Sequence, residues 1–201
     1  ADGSFAFEIA PVEVSGKAGV ELVKADEQPA KSKPEKIPTL KPAFNKNGTV
    51  TAATSASISD GAAAVVLMAQ SEAEKRGIKP LARILGHAQH SRTPGEFTIA
   101  PVYAIGKLLE KLDWKAADVD LWEINEAFAV VTLAAMREHN LPHDKVNIHG
   151  GACALGHPIG ASGARLLTTL VGALRKTRGK RGIVSLCIGG GEAVALAIEM
   201  I

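Results

Sequence analysis

The chain of 201 residues has few aromatic residues, few cysteines and little net charge. Its formal net charge of +2 does not indicate a nucleic-acid-binding or a membrane-surface protein. No apolar run approaches the roughly 18 residues that a membrane span needs, so none is predicted. The cysteines, Cys153 and Cys187, are too few for a disulfide scaffold and fit a reducing compartment. We therefore expect the cytoplasm if the protein is bacterial, with an organelle as the open alternative.

What the chain does contain is typical of a globular protein. Apolar residues make up 46% and charged residues 22%, which argues against a disordered, collagen-like or coiled-coil chain. The chain starts at Ala1 and soon alternates like a strand from Phe5 to Val14, with no basic and apolar leader before it. We therefore expect no leader peptide and a chain that is part of something longer.

The first third of the chain changes in composition along its length. Four prolines and several lysines between Pro29 and Pro42 predict a surface loop. The apolar run Ala62 to Met68 predicts a strand buried on both faces, followed by a short helix at Ser71 to Arg76. Because the segments before that strand are loop-like, we expect its sheet partners in a part of the protein that this chain does not contain.

From residue 80 onward the apolar pattern is regular and gives the order βαβαβαββ. The predicted strands are Leu81–His87, Val119–Ile124, Lys145–His149, Gly182–Ile188 and Ala193–Met200, and the predicted helices open at Pro101 and span Ala127–His139 and Ala161–Thr177. The helix at Ala127–His139 is apolar on almost all sides and is expected to be buried. The last two strands are expected to pair antiparallel around Gly189–Gly191. This order predicts an α/β fold, a mixed five-stranded sheet with helices on its faces.

Three segments follow predicted strands, where sites in α/β folds are usually found. Asn125 comes directly after a strand, where its side chain could cap the next helix or hold a water or a substrate oxygen. His157 lies in Gly150 to Gly163, which holds five glycines and matches neither common phosphate-loop pattern. It could be a structural histidine or a reactive one. Both interpretations stay open at this point.

Cys187 ends a predicted buried strand and is followed by three glycines. A cysteine in this place is by default an inert apolar residue. The glycines could instead expose it at a cleft, next to backbone N–H groups able to hold an oxyanion. The two cysteines with His149 and His157 do not have the spacing of a structural zinc site, so no metal is predicted.

Taken in order, three motifs resemble the active-site blocks of the thiolase family: NEAF at Asn125 to Phe128, GGACALGHPIGASGAR at Gly150 to Arg165, and CIGGG at Cys187 to Gly191. The resemblance extends to LKPAF, GTVTA and SDGAAAVVLM earlier in the chain. It implies a thiolase-like layered αβα fold, the second half of a duplicated core. Residues 1–57 would end a CoA-binding loop domain, 58–78 would be the last helix and strand of the first core domain, and 79–201 would be the second core domain.

The resemblance also implies a reaction, the reversible Claisen condensation of two acyl-CoA molecules, or the reverse cleavage of a 3-ketoacyl-CoA, through an acyl-cysteine. His157 would activate the nucleophilic cysteine and help bind the thioester oxygen, and Asn125 would hold a water in the same oxyanion hole. Cys187 would move the substrate Cα proton, and the N–H of Gly189 would contribute to a second hole. The resemblance implies no cofactor, because the CoA thioesters are substrates. The implied partners are acyl-CoA and CoA, the missing first half of the protein, and further copies of it in a homodimer or homotetramer. No nucleic acid or membrane partner is implied.

Several positions depart from the family pattern. Neither cysteine matches the family nucleophile, so we expect the chain alone to be inactive. Ala56 stands where a serine commonly contacts pantetheine, Lys31 is the substitute for an arginine that binds CoA phosphate, and Phe97 lies in an altered acyl-pocket loop. The full set of expected CoA or substrate contacts is Lys31, Phe44, Ser55, Ala56, Ser57, Phe97 and Phe128. The alternatives are a non-catalytic CoA-binding or assembly module, and an unrelated α/β domain.

Overall fold

The computed structural model describes residues 2–17 and 19–201. The strands are β1 (Val12–Gly16), β2 (Gly19–Val23), β3 (Ala82–Ser91), β4 (Leu121–Ile124), β5 (Arg181–Cys187) and β6 (Glu192–Met200). The helices are α1 (Gln28–Lys31), α2 (Gln70–Lys75), α3 (Ala100–Leu112), α4 (Ala129–His139), α5 (Ala152–Leu155) and α6 (Ser162–Thr177). Short 3-10 turns lie at Pro34–Thr39, Ala52–Thr54, Pro94–Ile99, Ala116–Asp118 and His143–Lys145.

The main sheet is mixed, with strand order β3-β6-β5-β4. β6 pairs antiparallel with both β3 and β5, so the predicted hairpin around the glycine turn is confirmed. β4 and β5 are parallel, with Ile124 opposite Ser185. The carboxyl ends of β4 and β5 therefore lie at one edge of the sheet, and this edge carries the site described below.

Helices cover both faces of this sheet, which confirms the layered α/β class. On one face α3 and α4 bury a cluster that includes Ile105, Leu108 and Trp122. On the other face α6 buries Leu166 and Leu170 against β4 and β5. Each helix presents apolar residues three or four positions apart to the sheet, which is the spacing that one face of an α-helix requires.

The predicted fifth strand at Lys145–His149 is reduced to a single bridge between Val146 and Trp122. Asn147 then turns into the left-handed region with a φ of 47°. The side-chain amide of Asn147 makes the hydrogen bonds that a neighbouring strand would make. Its Oδ1 accepts from the N–H of Ile124 at 2.8 Å, and its Nδ2 donates to the carbonyl of Ile124 at 2.9 Å. Local side-chain pairing has therefore taken the place of a backbone ladder.

The predicted buried strand at Ala62–Met68 is not formed, and the expectation that it is buried is wrong for this chain. The segment has no regular secondary structure, and the side chain of Val66 is 85% exposed. A strand needs a neighbour for its N–H and C=O groups, and no strand of residues 2–17 and 19–201 pairs with it. The segment thus presents an unpaired apolar surface.

The expectation of a buried α4 also needs correction. Val131 and Ala135 are fully buried, but Val130 and Leu133 are exposed. These two side chains line a groove of about 830 Å³ between α3 and α4. Only the face of α4 that meets α3 and the sheet is covered, as for an ordinary surface helix.

The residues before β3 form only short strands, short helices and loops. The alternation from Phe5 gives turns up to residue 8 and a strand only from Val12. The lysine and proline segment is an exposed loop, as predicted, interrupted by α1 and one 3-10 turn. Glu8 accepts a hydrogen bond from Thr169 at 2.7 Å, which fixes the start of the chain on α6. Within residues 2–17 and 19–201 no helix is both long and apolar enough to cross a bilayer.

Candidate active site

Asn125 continues β4 by one residue at the edge of the sheet. Its N–H donates to the carbonyl of Ser185 at 2.9 Å, and its side chain is fully buried. Nδ2 lies 3.3 Å from Nε2 of His157, whereas Oδ1 is buried without a hydrogen-bond partner. The helix-cap alternative is wrong, because α4 begins at Ala129 with Phe128 as its N-cap and no side-chain cap. The free oxygen is an acceptor for a water or a ligand.

His157 is held in place by its backbone and by both ring nitrogens. Its N–H donates to the carbonyl of Ser57 at 2.9 Å. The preceding Gly156 has a φ of 86°, and a Cβ there would overlap the side chain of Ser59, so a glycine is required. Nδ1 lies 2.6 Å from Oγ of Ser162. Burial and, less strongly, the charge of Arg165 lower the pKa of His157, which favours a neutral imidazole near pH 7.

Cys187 ends β5 at the same edge as Asn125. Its side chain is 6% exposed and belongs to the apolar cluster against which Phe97 and Phe128 pack. Burial raises the pKa of the Cys187 thiol to about 11. The group is therefore a neutral thiol near pH 7, suited to proton transfer only when a substrate or a neighbouring group changes its surroundings.

The glycine turn after Cys187 is fixed against the end of β3. Gly191 has a φ of 105°, and a Cβ there would overlap the carbonyl oxygen of Arg92. The N–H of Arg92 donates to the carbonyl of Gly191 at 2.9 Å. Across residues 2–17 and 19–201 no hydrogen bond uses the N–H of Gly189, which leaves it free to donate to a ligand.

The parallel pairing of β4 and β5 places the ends of both strands at one edge of the sheet. Ile124 lies opposite Ser185, so Asn125 and Cys187 follow these paired residues at that edge. His157 reaches that edge from the glycine-rich segment through its contact with Asn125. Asn125 and His157 are thus in contact, and Cys187 ends the neighbouring strand. Such an arrangement can hold a carbonyl oxygen and move a proton nearby.

The expected CoA contacts surround this edge, with one exception. The rings of Phe44 and Phe97 meet Phe128 edge-on at centroid distances of 5.9 and 6.0 Å. Ser55 forms a bridge with Phe128, Ala56 donates to the carbonyl of Ala127 at 3.1 Å, and Ser57 holds His157. Lys31, by contrast, pairs with Glu27 at 3.2 Å at the exposed end of α1.

The sequence did not single out a partly buried network next to Asn125. The carboxylate of Glu126 accepts from Nδ2 of Asn147 at 2.8 Å and from the N–H of Cys153 at 3.1 Å. Burial, and then the charge of Glu126, raise the pKa of the Cys153 thiol to about 12. The network fixes the loop that leads to His157. Only the position of Glu126 beside Asn125 could have drawn attention to it.

Glu123 and Arg165 form a second buried contact that the sequence reasoning missed. Oε2 of Glu123 lies 3.6 Å from a terminal guanidinium nitrogen of Arg165, and the Glu123 side chain is almost completely buried. Burial raises the pKa of Glu123 to about 8, which the charge of Arg165 opposes. Glu123 precedes Asn125 by two residues on the same face of β4. The pair thus connects the strand that carries Asn125 to the first turns of α6.

No group of three histidine, cysteine, aspartate or glutamate side chains among residues 2–17 and 19–201 could hold a metal ion. The motifs themselves match known families. The family model "Thiolase, C-terminal domain" matches residues 78–200, and "Thiolase, N-terminal domain" matches residues 1–71. The chain belongs to the thiolase family.

Individual relatives agree with this membership. A probable acetyl-CoA acetyltransferase of Dictyostelium discoideum is 48% identical over 199 residues, which are 98% of this chain and 48% of the relative. The crystal structure of the Bacillus anthracis acetyl-CoA acetyltransferase matches with a TM-score of 0.95 at 44% identity, covering 99% of this chain and 51% of that one. An Ascaris suum thiolase in complex with coenzyme A matches at 0.87 and 37% identity, covering 100% of this chain and 51% of that one.

The chain spans about half the length of the curated relatives that it matches. The predicted thiolase-like αβα fold is confirmed by these neighbours, whereas the five-stranded count is not. The domain limits at residues 57 and 78 and the individual roles of the site residues stay predictions.

Proposed function

We propose that the full-length protein is an acetyl-CoA C-acetyltransferase or a close 3-ketoacyl-CoA thiolase, and that residues 79–201 supply one side of its active site. The observation that carries the proposal is the hydrogen-bonded pair of Asn125 and His157. This pair lies at the edge of the sheet where β5 ends with Cys187. The names of the relatives support the same reaction class.

In the proposed reaction, a nucleophilic thiol outside this chain loses its proton to Nε2 of His157 and attacks an acyl-CoA. The thiolate forms a thioester bond, and CoA leaves with the proton of the Cys187 thiol, so that His157 stays protonated and Cys187 becomes a thiolate. The Cys187 thiolate then removes a Cα proton from a second acyl-CoA, and the carbanion attacks the acyl-enzyme to give a 3-ketoacyl-CoA. The enzyme sulfur that leaves in this step takes back the proton of His157. The thioester oxygen of the enolate accepts hydrogen bonds from the protonated His157 and from a water held by Asn125. The N–H of Gly189 donates to the oxygen of the acyl-enzyme.

Neither cysteine of this chain suits the part of nucleophile. Burial raises the pKa of the Cys187 thiol to about 11 and that of the Cys153 thiol to about 12. Both are therefore protonated near pH 7 without an additional base, whereas a nucleophilic cysteine needs a low thiol pKa or a nearby base. We expect the 201-residue chain alone to give no turnover.

CoA thioesters are the proposed substrates, with no other cofactor. The aromatic group of Phe44, Phe97 and Phe128 forms an apolar wall beside the site. Ser55, Ala56 and Ser57 run along it through backbone contacts with Phe128, Ala127 and His157, respectively. This strip is the proposed path of the pantetheine arm. Lys31, on an exposed helix, is the proposed contact for a CoA phosphate, and a homodimer or homotetramer is the proposed assembly.

The proposal is tested by thiolysis in the full-length protein. We expect cleavage of acetoacetyl-CoA in the presence of CoA, measured by loss of the 3-ketoacyl absorbance. Comparison with longer 3-ketoacyl-CoA substrates separates the short-chain assignment from the general thiolase. Much faster cleavage of long chains would contradict the former, and absence of cleavage for all of them would contradict both.

The two cysteines provide a matched pair for the role of Cys187. Cys187→Ser should still form the acyl-enzyme but lose exchange of the substrate Cα proton, followed by deuterium incorporation from heavy water. Cys153→Ser removes a less buried thiol that faces Glu126, and it should leave exchange within a few-fold of the parent. Unchanged exchange in Cys187→Ser would remove its assigned role.

The alternative is a non-catalytic CoA-binding or assembly module. The high thiol pKa values of both cysteines favour it for the chain taken alone. Intact-mass measurement of the full-length protein after incubation with acetyl-CoA distinguishes the two. A mass increase of one acetyl group indicates the enzyme, and an unmodified protein that still binds CoA indicates the module.

A further inference from the structure

We propose that Ser162 is a positioning residue that fixes which nitrogen of the His157 ring carries the proton. The inference rests on the proposed function, because it concerns the histidine that this function uses. Ser162 lies in the first turn of α6 and is 1% exposed. Its hydroxyl oxygen is 2.6 Å from Nδ1 of His157 and 3.0 Å from the carbonyl oxygen of Pro158. The residue therefore connects the imidazole to a fixed backbone acceptor.

The contacts form a chain of hydrogen bonds that runs in one direction. The Ser162 hydroxyl donates to the carbonyl of Pro158, which leaves its oxygen to accept from Nδ1–H. On the other side of the ring, the amide nitrogen of Asn125 faces Nε2 and can only donate. A neutral imidazole has one donor and one acceptor nitrogen. Nδ1 therefore carries the proton, and Nε2 keeps its lone pair toward the sheet edge.

This tautomer lets one ring perform both proposed tasks. In the neutral ring, Nε2 is the base that accepts the proton of the nucleophilic thiol: the S–H bond breaks, an N–H bond forms, and a thiolate and an imidazolium result. The imidazolium keeps Nδ1–H on the Ser162 oxygen, while the new Nε2–H is free to donate to a thioester oxygen. Ser162 does not contact substrate in this scheme. It acts by orienting His157, as outer hydrogen-bond partners of reactive histidines do.

Two elements, α6 and the end of β4, place polar groups at the ring, and the neighbouring strand β5 ends with Cys187. Arg165 lies one turn beyond Ser162 on α6, and its charge adds to burial in lowering the pKa of His157. Asn125 at the end of β4 is neutral, and the Cys187 thiol at the end of β5 is protonated near pH 7. An acceptor at Nδ1 opposes the effect of burial and Arg165, because it stabilises the charged ring.

The same helix provides a control for a purely structural role. Thr168 donates its hydroxyl to the carbonyl of Ala164 at 2.9 Å, four residues earlier, as Ser162 does to Pro158. Thr168 is not bonded to an imidazole. Thr168→Ala therefore removes a hydroxyl that bonds back along the helix without removing an acceptor from His157, and Ser162→Thr keeps the hydroxyl at the site.

The experiment uses the full-length protein labelled with ¹⁵N-histidine, and it follows the two ring nitrogens of His157 by NMR through a pH titration. In the parent protein we expect the neutral ring to carry its proton on Nδ1. Ser162→Ala should lower the pKa of His157 by about one unit through loss of the acceptor and should populate both tautomers. Ser162→Thr should restore the parent titration, and Thr168→Ala should not change it.

Kinetics add a second measurement. We expect Ser162→Ala to lower kcat for thiolysis by about 10- to 100-fold with little change in KM, which is the range known for the outer hydrogen-bond partners of metal-bound histidines. Ser162→Thr should recover most of the rate.

A neutral His157 with its proton on Nε2 in the parent protein would overturn the proposal, even if Ser162→Ala does not fold. An unchanged titration in Ser162→Ala would overturn it as well. If the titrations behave as expected but the protein forms no acyl-enzyme, the tautomer assignment stands and the proposed function fails.

Discussion

Residues 82–200 and the residues before them bury their apolar side chains very differently. In the later region, Ile105, Leu108 and Ile183 are completely buried between helices and sheet. In the earlier region, Val66 and Ile58 are almost fully exposed, and Ala73 is the one buried apolar residue among residues 2–17 and 19–81. The later region supplies both sides of its own core. The earlier region supplies one side, and we propose that the missing first half of the enzyme supplies the other.

The largest expected effect contrasts these two regions in stability. Leu170→Ala leaves a cavity between α6 and β5 and should lower the free energy of unfolding of the chain by about 2 to 5 kcal/mol. Val66→Ala, at an exposed position, should change it by less than about 0.5 kcal/mol. Chemical denaturation measures both. Equal losses for the two variants would show that the regions do not differ in this way.

The same Val66→Ala variant in the full-length protein sharpens the comparison. If the first half covers Val66, removal of two methyl groups should cost about 1.5 kcal/mol there. A cost as small as in the 201-residue chain would mean that the segment stays exposed, and the proposed partner for it would be wrong.

The candidate active site lies where the two regions meet, since the N–H of His157 donates to the carbonyl of Ser57. His157→Ala in the full-length protein should lower kcat for thiolysis by about 10²- to 10³-fold, because a hydrogen-bond donor to the thioester oxygen is lost. His143→Ala, in an exposed turn of the later region, is the matched control and should retain the parent rate. A similar loss in both variants would argue against a specific role for His157.

A glycine pair tests how the later region holds the glycine turn after Cys187. Gly191→Ala should destabilise the protein by about 1 to 3 kcal/mol, because a positive φ is combined with contact to the Arg92 carbonyl. Gly95→Ala has open space around its Cβ and should be close to neutral. Thermal or chemical unfolding measures both, and a neutral Gly191→Ala would mean that the turn can rearrange.

The last expected effect is the pH dependence that Glu123 gives to the later region. Burial raises the pKa of Glu123 from the ordinary 4.5 to about 8, so the folded state holds this proton more tightly than the unfolded state. The stabilisation from the protonated carboxyl is complete below about pH 4.5 and is lost as the pH rises toward 8.

Glu123→Gln removes this titration. Relative to the parent, the variant should gain about 3 kcal/mol in the free energy of unfolding between pH 5 and pH 8. Glu199→Gln, which removes a partly exposed carboxylate paired with Arg181, is the control and should not show this trend. A parent and a Glu123→Gln variant with parallel pH profiles would contradict the buried titration.

Much of the fold of the later region could be predicted from the sequence. Two helices and two strands begin and end within a few residues of the predicted limits: Ala100–Leu112, Ser162–Thr177, β5 and β6. Their apolar periodicity is strong because each buries one face in a single core. The segments at Lys145–His149 and Ala62–Met68 were predicted as strands and are not, since a strand also depends on a partner that local sequence does not show.

The site was predicted only as separate motifs. Asn125, His157 and Cys187 were each open to a structural interpretation until the thiolase resemblance ordered them. Ser162 was missed although it lies five residues after His157, because hydrogen-bond geometry cannot be derived from spacing alone. Glu123 was missed because a lone charged residue in an apolar strand carries no signal about Arg165, 42 residues later in the chain.

The amino-acid sequence by itself determined the family, the order of the elements and which residue types could act, since these depend on local periodicity and on ordered motifs. The tertiary structure alone decided that Asn125 pairs with His157, that the Cys187 thiol is buried and that the apolar segment Ala62–Met68 is left uncovered. The physical reason is that hydrogen bonding, desolvation and strand pairing depend on neighbours in space. The pairing of β4 with β5 supplies such neighbours for Asn125, whereas the segment Ala62–Met68 has no strand partner among residues 2–17 and 19–201.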